Sequence, residues 1–136
     1  MQVQPYLFFN GRCEEAAEFY RDNLGAQITA VMRFNEMPAS EGPVIPPGLE
    51  NKIMHMNVQM GDTTVMMSDG MSCGETKFEG FSLTLNVPND AEAERLFALL
   101  AESGEIQMPM AQTFFASRFG TLADRFGVPW IVIVAQ

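Results

Sequence analysis

Pro5-Tyr6-Leu7-Phe8-Phe9-Asn10-Gly11, followed by Cys13-Glu14-Glu15-Ala16-Ala17-Glu18-Phe19-Tyr20, changes hydrophobic period within one short stretch. Pro5 to Phe9 is a short apolar, aromatic run that suits a buried strand. Asn10-Gly11 is a turn. Beyond it Cys13, Ala16, Ala17, Tyr20 and Leu24 recur at helical spacing and predict one apolar helix face. Glu14 and Glu15 sit in the first turn, where the helix dipole favours them. Gly25 is the expected stop. Three strands are then expected: about 27–34, Lys52 to Met60, and Thr63 to Asp69. The last two are joined by a tight Gly61-Asp62 turn of hairpin type.

The same order recurs from Phe81. Phe81-Ser82-Leu83-Thr84-Leu85-Asn86-Val87 alternates strictly, as a half-buried strand does. Asn89 can cap a helix, with Glu92 closing a capping box. Ala93, Leu96, Phe97, Leu100 and Ala101 form its apolar stripe, and Gly104 ends it. Strands are expected at about 105–112, 115–122 and 129–135. The chain therefore reads as strand-helix-strand-strand-strand written twice, offset by about 77 residues (Ser82 against Pro5).

Composition bounds the function classes. The 136 residues are 47% hydrophobic, which excludes a disordered chain and suits one compact domain or two halves sharing a core. No apolar run approaches the roughly 18 residues of a membrane-spanning helix. Nor does the N-terminus pair a basic region with an apolar run and a cleavage site, so no secretory signal is expected. Eight Lys and Arg against 17 Asp and Glu give a formal charge of −9. Such a chain repels phosphate backbones and anionic lipids, so neither nucleic acid nor membrane is an expected partner. Cys13 and Cys73 are too few for a disulfide framework and read as reduced thiols of a cytoplasmic protein. Cys13 falls on the buried helix stripe and is expected to be inert; Cys73 falls in a loop with no base evident nearby. There is no Cys-x-x-Cys, His-x-x-x-His, Walker loop or Gly-x-Gly-x-x-Gly.

Two connections stand out. Residues 35–51 hold Pro38, Pro43, Pro46 and Pro47 with Gly42 and Gly48, a length that suits a lid, a binding loop or an interface arm. Residues 70–80, with Gly74, read as the linker between halves.

Alternation sorts the strand faces. On the Lys52–Met60 strand, Met54, Met56, Val58 and Met60 oppose Ile53, His55, Asn57 and Gln59. On the Phe81 strand, Phe81, Leu83, Leu85 and Val87 oppose Ser82, Thr84 and Asn86. The apolar faces are expected under the helices. The polar faces are either wet or line a concave cup that binds a small ligand. Met54, Met56, Met60, Met66 and Met67 read as core filler or as the lining of an adaptable pocket.

The duplicated unit resembles the vicinal oxygen chelate superfamily, which includes glyoxalase I, bleomycin- and fosfomycin-resistance proteins and extradiol dioxygenases. Within it the opening stretch quoted above resembles the PhnB-like branch. So do Ile53-Met54-His55-Met56, Val65-Met66-Met67-Ser68-Asp69 and the tail Arg118-Phe119-Gly120…Asp124-Arg125-Phe126-Gly127-Val128-Pro129-Trp130. The resemblance covers nearly the whole chain. It implies an α+β fold of two tandem βαβββ modules, their strands forming a curled mixed sheet, an incomplete barrel around a cavity. It also implies a frequent homodimer. Module one would span about 1–70 and module two about 81–136. The chain departs from the branch near Phe114-Phe115-Ala116-Ser117, where Phe115 stands for a Trp and Ala116 for a Gly. Members of the branch are sometimes labelled ubiquinone-pathway methyltransferases, but this sequence shows no methyl-donor motif.

Metal-dependent members of the superfamily carry His, Gln or Glu at one place on the first and last strand of each module. Aligned on Phe19-Tyr20, these places fall at Pro5 and at about Met66, Ser82 and Ile131. Proline and isoleucine offer no donor, a thioether is soft, and serine is a poor neutral ligand. No metal and no cofactor is therefore expected. His55 reads as a general base, a ligand hydrogen bond or an ordinary strand histidine. Arg118 reads as an anchor for an anionic or planar ligand, or as a surface residue. Trp130 reads as core or pocket wall, Asp69 as a turn acceptor, and Asp124 as shaping the final turn before Gly127.

The leading expectation is a cytoplasmic, metal-free, homodimeric small-molecule-binding protein. Its expected ligand-binding residues are His55, Asn57, Gln59, Ser82, Thr84, Phe114, Arg118 and Trp130. One alternative is a lyase or isomerase with His55 as base and the 35–51 loop as lid. Another is a collapsed cavity in a protein whose role is assembly. The sequence does not name the substrate.

Overall fold

A computed structural model describes residues 1–38, 45, 47–70 and 76–135. The element order is β1 (Tyr6–Phe8), α1 (Cys13–Leu24), β2 (Gln27–Arg33), a single 3₁₀ turn (Phe34–Glu36), β3 (Ile53–Met60) and β4 (Thr63–Ser68). It then repeats as β5 (Leu83–Asn86), α2 (Asp90–Ala101), β6 (Glu105–Ala111), β7 (Ala116–Ala123) and β8 (Pro129–Ala135). This is the duplicated βαβββ pattern of an α+β protein. The chain divides into two compact units, Met1–Thr76 and Lys77–Gln136, here called modules one and two. Cys73, Gly74 and much of the predicted 70–80 linker, with Pro43, Pro46 and Gly42 of the long loop, lie outside the described residues.

Module one is an open four-stranded sheet in the order β1-β4-β3-β2, with β1 parallel to β4 and the other pairs antiparallel. The first strand lands beside the last because α1 carries the chain across before the β3–β4 hairpin returns it. Cys13, Ala16, Ala17 and Tyr20 of α1 are buried, as their spacing predicts. Gly25 ends the helix at φ +71°, and Gly61 turns the hairpin at φ +58°; both conformations favour glycine. Leu7, Met56, Val58, Val65 and Met67 complete the core.

Ile53 corrects the expected face assignment. It is buried rather than grouped with His55. The β2–β3 register steps from Met32↔His55 to Arg33↔Ile53, leaving Met54 as an extra residue. That irregularity returns Ile53 to the core side, because one inserted residue flips the alternation. The methionines divide accordingly: Met56 and Met67 are buried, while Met54, Met60 and Met66 are half-buried.

Module two repeats the plan in the order β5-β8-β7-β6. Ala93, Leu96, Phe97 and Leu100 of α2 are buried with Leu122, Trp130, Val132 and Val134 of the sheet. Asn89 caps α2, its Oδ1 accepting the Glu92 N–H at 2.9 Å. The predicted capping box is only half formed, because the Glu92 carboxylate turns to Arg95 at 2.7 Å. At the far end Ser103, not Gly104, takes the left-handed conformation (φ +61°). Gly104 serves close approach instead: a Cβ there would collide with the Ala123 carbonyl oxygen.

Candidate functional site

The helix-free face of module one is built by register. Tyr6 pairs with Met66, and Met66 pairs with Asn57. His55, two residues from Asn57, shares that face and pairs across β2 with Met32. Phe8 follows Tyr6 on the same side of β1.

A hydrogen-bonded chain crosses this face. The Tyr6 hydroxyl lies 2.9 Å from His55 Nδ1, and His55 Nε2 lies 2.7 Å from Asn57 Oδ1. The Tyr6 ring stacks on Phe8 at 5.0 Å and leans against the imidazole at 5.5 Å. Tyr6 and Phe8 are 37% and 52% exposed, so the chain's aromatic end stays accessible. Burial, and to a lesser degree the Cys13 thiol, hold the Tyr6 phenol above its ordinary pKa against a hydrogen bond from Ser68, so it is a neutral hydroxyl at neutral pH. Tyr6 was missing from the sequence-derived candidates. Its partner is 49 residues away, and only the β1–β4–β3 register brings the two together.

Gln59 shares the face, but both ends of its amide are engaged. It accepts the Thr64 hydroxyl at 2.6 Å and donates to the Gly61 carbonyl at 2.8 Å, bracing the hairpin.

In module two the candidates separate. Thr84 is exposed and pairs with Ile131, which pairs with Thr121; together they mark the helix-free face. Ser82 lies exposed, just before β5. Phe114 is 95% exposed and meets Phe115 edge-on at 5.1 Å, and Phe115 meets Phe119 at 5.3 Å. Arg118 and Trp130 lie on the opposite side. Arg118 pairs with Val134 in the sheet and reaches α2, with Glu94 at 3.1 Å and Asp90 at 3.5 Å. Trp130 is buried, and its indole N–H donates to Asp124 Oδ2 at 2.9 Å. Neither shares a face with Thr84: Arg118 braces the helix, and Trp130 takes the core position, one of its two readings.

Both singled-out aspartates are structural. Asp124 also accepts the Phe126 and Val128 N–H groups, shaping the final turn as expected. Asp69 does more than terminate a turn. It accepts N–H groups from Gly11, Cys13 and Ile53 at 2.8–2.9 Å.

A cavity of about 290 Å³ in module one is lined by Gly11, Glu14, Arg33, Asn51, Lys52, Ile53 and Asp69. Its charges are already engaged. Arg33 grips Glu14 at 2.7 Å and donates to the Asn51 carbonyl at 2.9 Å, while the Lys52 ammonium donates to the Gly11 carbonyl at 3.1 Å. Arg33 in turn holds the Glu14 carboxyl below its ordinary pKa. Asn35 closes the base of the long loop, donating its N–H to Glu50 and its amide to Asn51.

The positions aligned with metal-binding places do not fit an ion. Pro5 and Ile131 present no donor atom, Met66 a soft thioether and Ser82 an exposed hydroxyl. Both nitrogens of His55 are engaged by Tyr6 and Asn57. Among the described residues no group of three or more His, Cys, Asp or Glu is arranged to hold a metal. No described helix is long and apolar enough to cross a membrane.

Comparison with known proteins places this geometry in context. Residues 1–133 match the family model described as 3-demethylubiquinone-9 3-methyltransferase. The chain is 37% identical over 142 residues to Protein YjdN of Escherichia coli (strain K12), covering 100% of this chain and 97% of that protein. The crystal structure of protein PA1353 from Pseudomonas aeruginosa is similar at TM-score 0.85 and 42% identity, covering 100% and 98% of the two chains. The PhnB protein from Bacillus cereus is similar at TM-score 0.82 and 27% identity, covering 99% and 100%. The fold alone is shared with the glyoxylase/bleomycin resistance protein/dioxygenase domain from Frankia sp. EAN1pec, at TM-score 0.66 and 12% identity over 100% and 93% of the chains.

Proposed function

Since the chain belongs to the family described by the 3-demethylubiquinone-9 3-methyltransferase model, the PhnB-like branch of the vicinal oxygen chelate superfamily, we propose that it binds a small organic molecule without a metal. The observation that carries this reading is the Tyr6–His55–Asn57 chain on an accessible, helix-free sheet face. It supplies directional hydrogen bonding beside an aromatic surface, the usual make-up of a small-molecule site. The superfamily's ion would polarise substrate oxygens. Pro5, Met66, Ser82 and Ile131 cannot hold one, so in module one recognition relies on neutral contacts from His55 and Asn57; Thr84 and Phe114 are separate candidates within module two.

We propose further that the protein is a cytoplasmic homodimer with neither nucleic acid nor membrane as partner. The charge of −9 supports the second part. Val31 on edge strand β2, and Ile106 and Met108 on edge strand β6, support the first, being 45–53% exposed apolar side chains of the kind an interface covers. Sedimentation equilibrium tests it, and a monomer at micromolar concentration would refute the dimer.

A second reading rests on the same chain: a lyase or isomerase in which His55 is the general base, receiving the Tyr6 proton as the Tyr6 oxygen takes one from the substrate. It predicts turnover that survives chelators and is lost in His55→Ala. For the binding reading, native mass spectrometry of freshly purified protein is the test. A co-purified organic molecule released by His55→Ala supports it. Its absence, together with no stabilising compound in a broad thermal-shift screen, contradicts it.

A further inference from the structure

We infer that the order of hydrogen bonds from Tyr6 through His55 to Asn57 makes the Tyr6 oxygen an acceptor, so the site takes neutral aromatic molecules bearing a hydroxyl in preference to aromatic ethers or carboxylates. The inference rests on the reading that a ligand lies on the helix-free face of module one.

The polarity follows from one atom. Asn57 Oδ1 is a carbonyl oxygen and only accepts, so the bond at 2.7 Å requires the proton on His55 Nε2. A neutral imidazole with Nε2–H has a lone pair at Nδ1. The Tyr6 hydroxyl, 2.9 Å away, therefore donates its proton inward to His55. The Ser68 hydroxyl also reaches that oxygen, so what remains for a ligand is its other lone pair, made more electron-rich by the bond the phenol donates. A ligand hydroxyl can donate to that oxygen; an ether has no proton to give.

The surroundings supply the rest of the selection. Phe8 stacks on Tyr6 at 5.0 Å with 24° between ring planes and is half exposed, a platform for a second ring. Met66 and Met32, placed on this face by register, add adaptable thioethers. None of Tyr6, Phe8, His55, Asn57, Met66 and Met32 carries a fixed charge. The nearby cations, Arg33 and Lys52, are bound to Glu14 and to the Gly11 carbonyl. A carboxylate ligand would lose water here without gaining a counter-charge.

The test uses the full chain and three probes: phenol, anisole and benzoate. His55 is the one histidine, so a long-range proton–nitrogen NMR spectrum reads its tautomer without ambiguity. The expected result is a neutral ring protonated at Nε2. Followed by the His55 ring signals, phenol is expected to bind roughly tenfold tighter than anisole or benzoate, the usual worth of one hydrogen bond. Tyr6→Phe, which keeps the ring, is expected to equalise phenol and anisole. Asn57→Leu is expected to release the tautomer and weaken the preference; Asn57→Asp, still an acceptor for Nε2–H, restores both at a pH high enough to keep the ring neutral. A ring protonated at Nδ1, or a phenol preference that survives Tyr6→Phe, overturns the inference and leaves the ligand site standing. No response of His55 to any probe overturns both.

Discussion

Asp69 accepts the backbone N–H of Cys13 at 2.9 Å across 56 residues of sequence. The same carboxylate takes the N–H groups of Gly11 and Ile53, both at 2.8 Å. One buried side chain thus ties the end of β4 to the start of β3 and to the first turn of α1. It acts as a remote cap, because the N-cap residue Arg12 makes no side-chain capping bond. Framework and candidate site meet here: β3, anchored through Ile53, is the strand that carries His55 and Asn57.

Removing that cap is expected to be costly. Asp69→Ala leaves three backbone N–H groups without their acceptor, and at about 1–3 kcal/mol each, with partial rescue by water, the loss is about 3 kcal/mol. Urea denaturation measures it. A loss below about 1 kcal/mol would show that the carboxylate is not what holds β3, β4 and α1 together.

Module two has its own anchor in Asp124. Asp124→Ala is expected to orphan the Trp130 indole and loosen the Phe126–Val128 turn, costing about 2–4 kcal/mol. Trp130 is the chain's one tryptophan, so near-ultraviolet circular dichroism and emission report on it directly. Unchanged Trp130 spectra in the variant would contradict the buried indole–carboxylate bond.

Cys13 is expected to resist chemistry. Burial first, then the charges of Asp69 and Glu14, push its thiol far above the ordinary cysteine range, and the thiolate is the reactive form. Iodoacetamide at pH 8, read by peptide mass spectrometry, is expected to leave Cys13 unmodified in the native protein and to label it in urea. Native labelling of Cys13 would contradict the closed core.

The Glu14–Arg33 pair gives a small acid sensitivity. The Arg33 hydrogen bond, aided by its charge, holds the folded-state Glu14 pKa below its ordinary 4.5. A depressed folded pKa stabilises the fold fully above the unfolded value, and the contribution fades as pH falls through the folded one. Glu14 is half exposed and Arg33 about a third exposed, so screening keeps the effect small. Glu14→Gln is expected to flatten the acid limb of the stability–pH curve slightly, and an unchanged limb would refute the contribution.

The sequence displayed the architecture because period two and period 3.6 alternate cleanly in both halves. Cys13-Ala16-Ala17-Tyr20 and Ala93-Leu96-Phe97-Leu100 are apolar stripes that only a helix buries on one side. The candidate site was legible in part. His55 and Asn57 share a strand face by simple alternation, and they do meet. Tyr6 was hidden because its partnership depends on a parallel pairing of β1 with β4, which no local pattern encodes. Ile53 was misplaced because an irregularity at Met54 inverts the alternation, and nothing in the residue types marks it. Chemistry alone leaves Arg118 as either a ligand anchor or a surface residue, and Trp130 as either pocket wall or core. Their face is set by β7–β8 register, which sends one to the α2 carboxylates and the other to Asp124.

Titration of the full chain with Mn²⁺, followed at the imidazole signals of His55, tests the central claim most directly. A neutral, metal-free face predicts that these signals stay sharp through an equimolar addition. Selective broadening of His55 at substoichiometric Mn²⁺ would place a cation beside Tyr6 and Met66 and contradict it.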